Sequence, residues 1–258
     1  MPRSWGLAGA MVLATIAALA AQWRTPWSYE GERGPDRWSA LDPAYAACSG
    51  RHQSPVDIQR AEKADLPPLR FDYTTAPLKY LINNGKTIRV NYHDARGTGS
   101  ALVVGGKRYQ LTQFHFHRPS EEYIQGKPFD MVVHLMHEAD DGKVAGVAVL
   151  VKAGRANRAV QQLWDHMPST QGDEHAIAGV DINPADLLPP NAAYYTYEGS
   201  LTAPPCTEGV TWFVLKTPVD VSQAQIDAFA RLYPDDVRPT QPLNGRVVRE
   251  SRWEGRGR

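Results

Sequence analysis

The residue types and spacing most suited to chemistry lie in the stretch Gln113-Phe114-His115-Phe116-His117. Read as a β-strand, it sends successive side chains to opposite sides. On strict alternation Gln110, Thr112, Phe114 and Phe116 share one face, and Tyr109, Leu111, Gln113, His115 and His117 the other. Two imidazoles then point the same way, one pleat apart, with aromatic rings behind them. Zinc takes nitrogen ligands at ~2.0–2.1 Å in a tetrahedron, and two such histidines can supply two corners. Taken alone, the same pair reads equally as two satisfied histidines on a sheet face. Residues 130–137, Asp-Met-Val-Val-His-Leu-Met-His, form a second apolar run that suits a buried strand. His134 and His137 are an odd number apart, so at most one can join the first pair while that strand stays regular. Gln125-Gly126-Lys127-Pro128 signals a turn between the two runs, which can then lie side by side and antiparallel. Three histidines from adjacent strands leave one corner of the tetrahedron open, the mark of a catalytic rather than a structural zinc.

The elements that must position these residues are mostly strands. Residues 86–92 alternate, with Ile88, Val90 and Tyr92 on one face. Gly105-Gly106 makes a hairpin into the histidine strand. Residues 144–152 are almost continuously apolar, hence buried on both faces, and 78–82 and 211–215 also read as strands. Helices are few. Val160, Leu163, Trp164 and Met167 fall at helical spacing, and Ser222-x-x-Gln225 is a capping box before Ile226, Phe229 and Tyr233. Residues 184–188 suit a single helical turn, and 22–51 an irregular arm packed by Trp27, Tyr29 and Trp38. No linker divides the chain. The fold expected is mainly β (α+β): one domain on a large, mostly antiparallel sheet with a few short peripheral helices.

The 258 residues, 42% hydrophobic and 22% charged, have an ordinary globular composition. Lys plus Arg equals Asp plus Glu at 28 each, so no basic excess favours nucleic acid. Residues 1–20 differ. Arg3, an apolar small-residue run over 8–20 and the Ala18-Leu19-Ala20 cleavage signal read as a secretory signal peptide, leaving 21–258 as the mature domain. The other reading is an uncleaved anchor; the run is short for a membrane span. Export implies a periplasmic or secreted protein with no membrane attachment after cleavage. The two cysteines, Cys48 and Cys206, then suggest a disulfide tying the region after Thr202 to the N-terminal arm, the alternative being two buried thiols.

Taken together, His115-Phe116-His117, Pro119-Ser120-Glu121, His134-Leu135-Met136-His137 and Gly199-Ser200-Leu201-Thr202-Ala203-Pro204-Pro205 resemble an α-class carbonic anhydrase. Gln53-Ser54-Pro55-Val56-Asp57-Ile58 and Arg238-Pro239-Thr240-Gln241-Pro242-Leu243 resemble further segments of that family, in family order. The resemblance implies a twisted central sheet, a cis bond before Pro55, and zinc held by His115, His117 and His134 at the bottom of a conical cleft. It implies reversible hydration of carbon dioxide to bicarbonate and a proton, by attack of a zinc-bound hydroxide held by Thr202 and Glu121. A three-histidine zinc lowers the pKa of its water to about 7; that magnitude is known from carbonic anhydrase itself and is not obtained from this chain. A threonine hydroxyl can accept the hydroxide's proton while donating its own to a carboxylate. Gln113 matches the family's partner for His115, and His137 a structural position.

Departures from the family mark open points. The family usually places a glutamate two residues before the third ligand; here that residue is Val132. Either a carbonyl or another side chain takes its place, or His134 is less firmly held and zinc retention weaker. The proton-shuttle position after Asn84-Gly85 is Lys86 instead of histidine. Lysine at ~10.4 matches the working pH poorly beside histidine at ~6.5, so Lys86 is either a shuttle with a lowered pKa or a solvated lysine at the cleft rim. Leu201, Val210 and Trp212 match apolar wall positions. Met136 and Gly146 both stand where valine is common, which suggests compensation of volume between them. Ala203 replaces a second threonine, making the anion site less polar. His52, His93, His166 and His175 read as isolated and solvated. The partners expected are carbon dioxide and bicarbonate, with the chain a monomer or homodimer. Two other readings are a non-catalytic zinc or ligand-binding domain, and a zinc esterase. The cleft reads as apolar and without a substrate-anchoring charge, which favours a small neutral substrate.

Overall fold

The computed structural model describes residues 25–92 and 99–252. Eleven strands form one mixed sheet. Nine of them run in the order Glu62–Ala64, Arg249–Ser251, Tyr194–Ser200, Glu208–Val221, Val144–Ala153, Met131–Glu138, Lys107–His117, Ile88–Asn91 and Leu81–Asn83. The remaining two, Arg70–Asp72 and Ala101–Val104, pair with each other and extend the outer half of the histidine strand. Most pairings are antiparallel. The Val144–Ala153 strand runs parallel to Glu208–Val221, and Arg249–Ser251 parallel to Glu62–Ala64. The short strand expected over 78–82 is Leu81–Asn83.

The strands Met131–Glu138 and Val144–Ala153 are buried on both faces. On one face Phe114, Phe116, Val133 and Leu135 pack with Val160, Leu163, Trp164, Ile226 and Phe229. The last five belong to the helices Arg158–Trp164 and Gln223–Ala230, the second of which begins with the expected Ser222/Gln225 capping box. Met167 and Tyr233 lie just beyond these helices and are partly buried against the same core. Phe116 sits 4.7 Å from Trp164, ring centre to ring centre. Rings of this size stabilise the fold by roughly 1.5–3 kcal/mol each and fix the strand from behind. On the other face Val132, Met136, Ala148, Leu150, Trp212 and Val214 form a second cluster. Residues 184–187 form a 3-10 turn. The N-terminal arm folds as short 3-10 turns and one turn of α-helix around Trp38, with Trp27, Tyr29 and Tyr45 against it.

The strict alternation expected along residues 109–117 does not hold. The register slips at Thr112: Met136 pairs with Gln113, and His137 with Leu111. A bulge adds one residue and reverses the facing of everything before it. Tyr109 and Leu111 therefore join Phe114 and Phe116 in the core, while Gln113, His115 and His117 face the other way. The expected signal peptide lies outside the described residues.

Candidate active site

His115 and His117 project from the end of the Lys107–His117 strand, and His134 from the middle of its neighbour, where it pairs with His115. One ligand atom from each of the three lies within 4.8 Å of the others. Each imidazole has one nitrogen already engaged. His115 Nδ1 donates to Gln113 Oε1 at 2.8 Å, His117 Nδ1 to the Asp236 carbonyl at 2.7 Å, and His134 Nε2 to the Glu122 carboxylate at 3.0 and 3.1 Å. Of the nitrogens left over, His117 Nε2 and His134 Nδ1 are buried with no partner. Burial, then the neighbouring His117 and His134, then Arg89, hold His115 well below the usual histidine range. Unpaired lone pairs in a dry recess are costly unless a cation takes them up. Three nitrogens with outer partners fixing their orientation fit a zinc site with one open position.

Among the residues that hold the histidines, Glu122 is one that sequence reasoning missed. It stands beside Glu121, buried, and takes up the hydrogen bond that Val132 cannot make. Of the alternatives left open above, a substituting side chain is the one found. The one signal in the sequence is the doubled Glu121-Glu122, of which the resemblance claims a single member.

Glu121 Oε1 accepts the Arg238 backbone N–H at 2.9 Å. Glu121 Oε2 is buried without a hydrogen bond, 3.5 Å from His117 Nε2 and 3.8 Å from His134 Nδ1. Thr202 lines the cleft beside the histidines, but no hydrogen bond joins its hydroxyl to Glu121 in this structure. Arg238, whose terminal nitrogens donate to Gln53, Ser54 and Cys48, anchors the Glu121 carboxylate to the N-terminal arm. Cys206 is bonded to Cys48 four residues after Thr202.

The cleft holds about 220 Å³. Met136, Leu201, Ala203, Pro204 and Trp212 line its apolar side, and Trp27 and Tyr29 reach it from the arm. Val210 lies behind this wall in the apolar cluster. Gly146 is also behind it, and the reason for glycine differs from the volume compensation expected. Gly146 does pair with Met136 across the strands, but a Cβ here would sit 2.7 Å from the Trp212 ring. Lys86 is half-buried at the rim, its ammonium 4.9 Å from the Trp27 ring centre, and burial pulls its pKa down. The expectation of a cleft without an anchoring charge is overturned by Arg89, which lines the polar wall next to Gln113 and His115. His137 is buried on the far side of its strand, bonded to Tyr73. His52, His166 and His175 are exposed, and His93 lies outside the described residues.

Three converging imidazoles, two buried and one half-buried, on a large mixed sheet with an open side toward an apolar recess define a metal-dependent enzyme of the lyase or hydrolase kind. A model of the eukaryotic-type carbonic anhydrase family matches residues 33–252. A carbonic anhydrase of Nostoc sp. is 40% identical over 230 residues, covering 87% of this chain and 86% of the relative. One from Klebsiella pneumoniae is 43% identical over 228 residues, covering 87% and 90%. The α-carbonic anhydrase of Thermovibrio ammonificans, solved with the inhibitor sulfanilamide, superposes with a TM-score of 0.82 at 41% identity, covering 87% of this chain and 99% of that one. The chain belongs to the α-carbonic anhydrase family. Its activity is the family's, on carbon dioxide and bicarbonate, and zinc is the family's metal. Among the described residues no helix is long and apolar enough to cross a membrane.

Proposed function

We propose that His115, His117 and His134 hold zinc through Nε2, Nε2 and Nδ1 respectively, and that this chain hydrates carbon dioxide reversibly to bicarbonate and a proton at that site. When bound, zinc supplies a Lewis acid that makes water a nucleophile at neutral pH. Gln113, the Asp236 carbonyl and Glu122 orient the three rings. Glu121 Oε2, the oxygen Arg238 leaves unused, is the acceptor available to the Thr202 hydroxyl. A threonine donating to Glu121 accepts from the attacking oxygen, and this holds its lone pair toward the substrate. Carbon dioxide, small and uncharged, rests against Leu201, Met136 and Trp212. Lys86 stands at the rim where the proton leaves. The single observation that carries this reading is the pair of buried, partnerless nitrogens on His117 and His134 facing Glu121 Oε2. The disulfide supports an exported protein, periplasmic or secreted.

Stopped-flow carbon dioxide hydration, with and without a zinc chelator and set beside ester hydrolysis, tests the proposal. We expect chelator-sensitive hydration far above buffer, with ester turnover the weaker activity. Hydration no faster than buffer from zinc-loaded protein would overturn it.

A further inference from the structure

The polar wall of the cleft holds a cation that the hydration reaction does not call for. Arg89 pairs directly with His115 across adjacent strands, so its side chain is on the histidine face. Its Nε is buried and has no hydrogen-bond partner. Burial pulls the guanidinium pKa down, and the field of Glu174 partly opposes this. No carboxylate among the described residues lies within ion-pair distance of Arg89, and Glu174 accepts from Asn91 instead. One pleat along, Gln113 gives its Oε1 to His115, which leaves its amide N–H groups as donors on the same wall. Lys86 adds a second positive charge toward the rim. Facing these groups, 220 Å³ of cleft separates them from Leu201, Met136 and Trp212.

A guanidinium in a cleft wall with no acceptor on any of its nitrogens among the described residues is an unusual feature, because such groups are normally paired. We infer that Arg89, with Gln113 beside it, forms a docking site for a planar carboxylate-type monoanion. The anion meets the guanidinium end-on, its two oxygens accepting from the two terminal nitrogens, which unlike Nε are not buried. Arginine forks match two coplanar oxygens, which a single ammonium does not. A linear anion satisfies only one donor. The apolar wall opposite leaves room for a short hydrocarbon or ring on the carboxylate. Bicarbonate and small organic carboxylates share this chemistry, so the site takes either the reaction's own product or an external organic acid.

The experiment is calorimetric titration of the zinc-loaded enzyme with benzoate and, as a linear control, azide, in the wild type, Arg89→Lys and Arg89→Gln. Binding is read as heat, so the result is independent of whether carbon dioxide is turned over. Benzoate should weaken by roughly tenfold or more in Arg89→Gln, the scale of a charge-assisted pair. In Arg89→Lys the charge remains but the fork is lost, so benzoate should weaken severalfold while azide holds its affinity. Bicarbonate is then added as a competitor. Displacement of benzoate that depends on Arg89 identifies the product as a ligand, and no displacement identifies the site as one for organic acids. Unchanged benzoate affinity in Arg89→Gln would overturn the inference. Equal weakening of benzoate and azide in Arg89→Lys would overturn it too, because it would reduce the effect to charge alone.

Discussion

At the scale of single residues, the site's chemistry rests on which atom faces which. Glu122 gives His134 a charged acceptor, and such outer partners are worth about 10–100-fold in metal affinity. Glu122→Gln should therefore shorten the half-life of zinc against a chelator by about that factor; an unchanged half-life would show that the carboxylate is dispensable. Gly146 makes room for the Trp212 ring. Gly146→Val should lower carbon dioxide hydration and cost about 1–3 kcal/mol in denaturant unfolding. Because the obstacle is Trp212, adding Met136→Val should not restore either quantity, whereas a simple exchange of volume between the two strands would. At the rim, Lys86→His places a group of pKa ~6.5 on the proposed exit path for protons. Turnover in dilute buffer should rise and its dependence on added imidazole fall; stopped-flow rates that ignore both changes would remove Lys86 from the proton path. The His115/His117 pair was legible from local spacing, whereas the choice of His134 over His137, and Gln113 and Thr202, came only with the family resemblance. Glu122 and Arg89 were legible from neither, because their roles depend on partners 12 and 26 residues away.

At the scale of elements, the two histidine strands explain what alternation could and could not deliver. The His115/His117 pair was readable because the strand is regular from Gln113 onward. Strict alternation failed upstream because the Thr112 bulge is a backbone event set by pairing with Met136 and His137, and no residue type announces it. The same partner strand carries His137 to the opposite face. There its ring is stacked on Tyr73, and its Nε2 is hydrogen-bonded to the phenol hydroxyl at 2.7 Å. Burial pushes the His137 pKa down to about 4, against backbone hydrogen bonds that pull it up. Unfolded, the imidazole binds its proton near pH 6.5. Between these values the unfolded chain holds a proton that the fold refuses, so stability is full above pH 6.5 and falls as the pH drops. The loss should approach about 3 kcal/mol by pH 4, at 1.36 kcal/mol per unit of displacement. Denaturant midpoints of wild type and His137→Asn, both zinc-saturated, check this: the variant's pH slope should be flatter. Parallel slopes would mean that other groups dominate the acid response.

At the scale of the whole molecule, the cleft is assembled from parts far apart in the chain, and the disulfide joins two of them. Cys48 belongs to the aromatic arm around Trp38, and Cys206 to the loop that carries Thr202. Arg238 meets the same junction, donating to the Cys48 carbonyl while its own N–H fixes Glu121. The three histidines, by contrast, stand on paired central strands that need no such tie. Stability and catalysis should therefore respond differently when the bridge is removed. Closing a separation of 158 residues restricts the unfolded chain by on the order of 4–5 kcal/mol in the chain-entropy treatment. The double variant Cys48→Ser/Cys206→Ser should lose up to that much in denaturant unfolding. At temperatures where it remains folded, it should keep its zinc, because the sheet still presents the imidazoles. Its turnover should fall further than its metal content, because the loop bearing Thr202 is no longer held against the arm. Zinc content and turnover falling in step would place the bridge's contribution in the global fold and leave the positioning of Thr202 to the loop's own hydrogen bonds, Leu201 N–H to Thr207 and Cys206 N–H to Ala203.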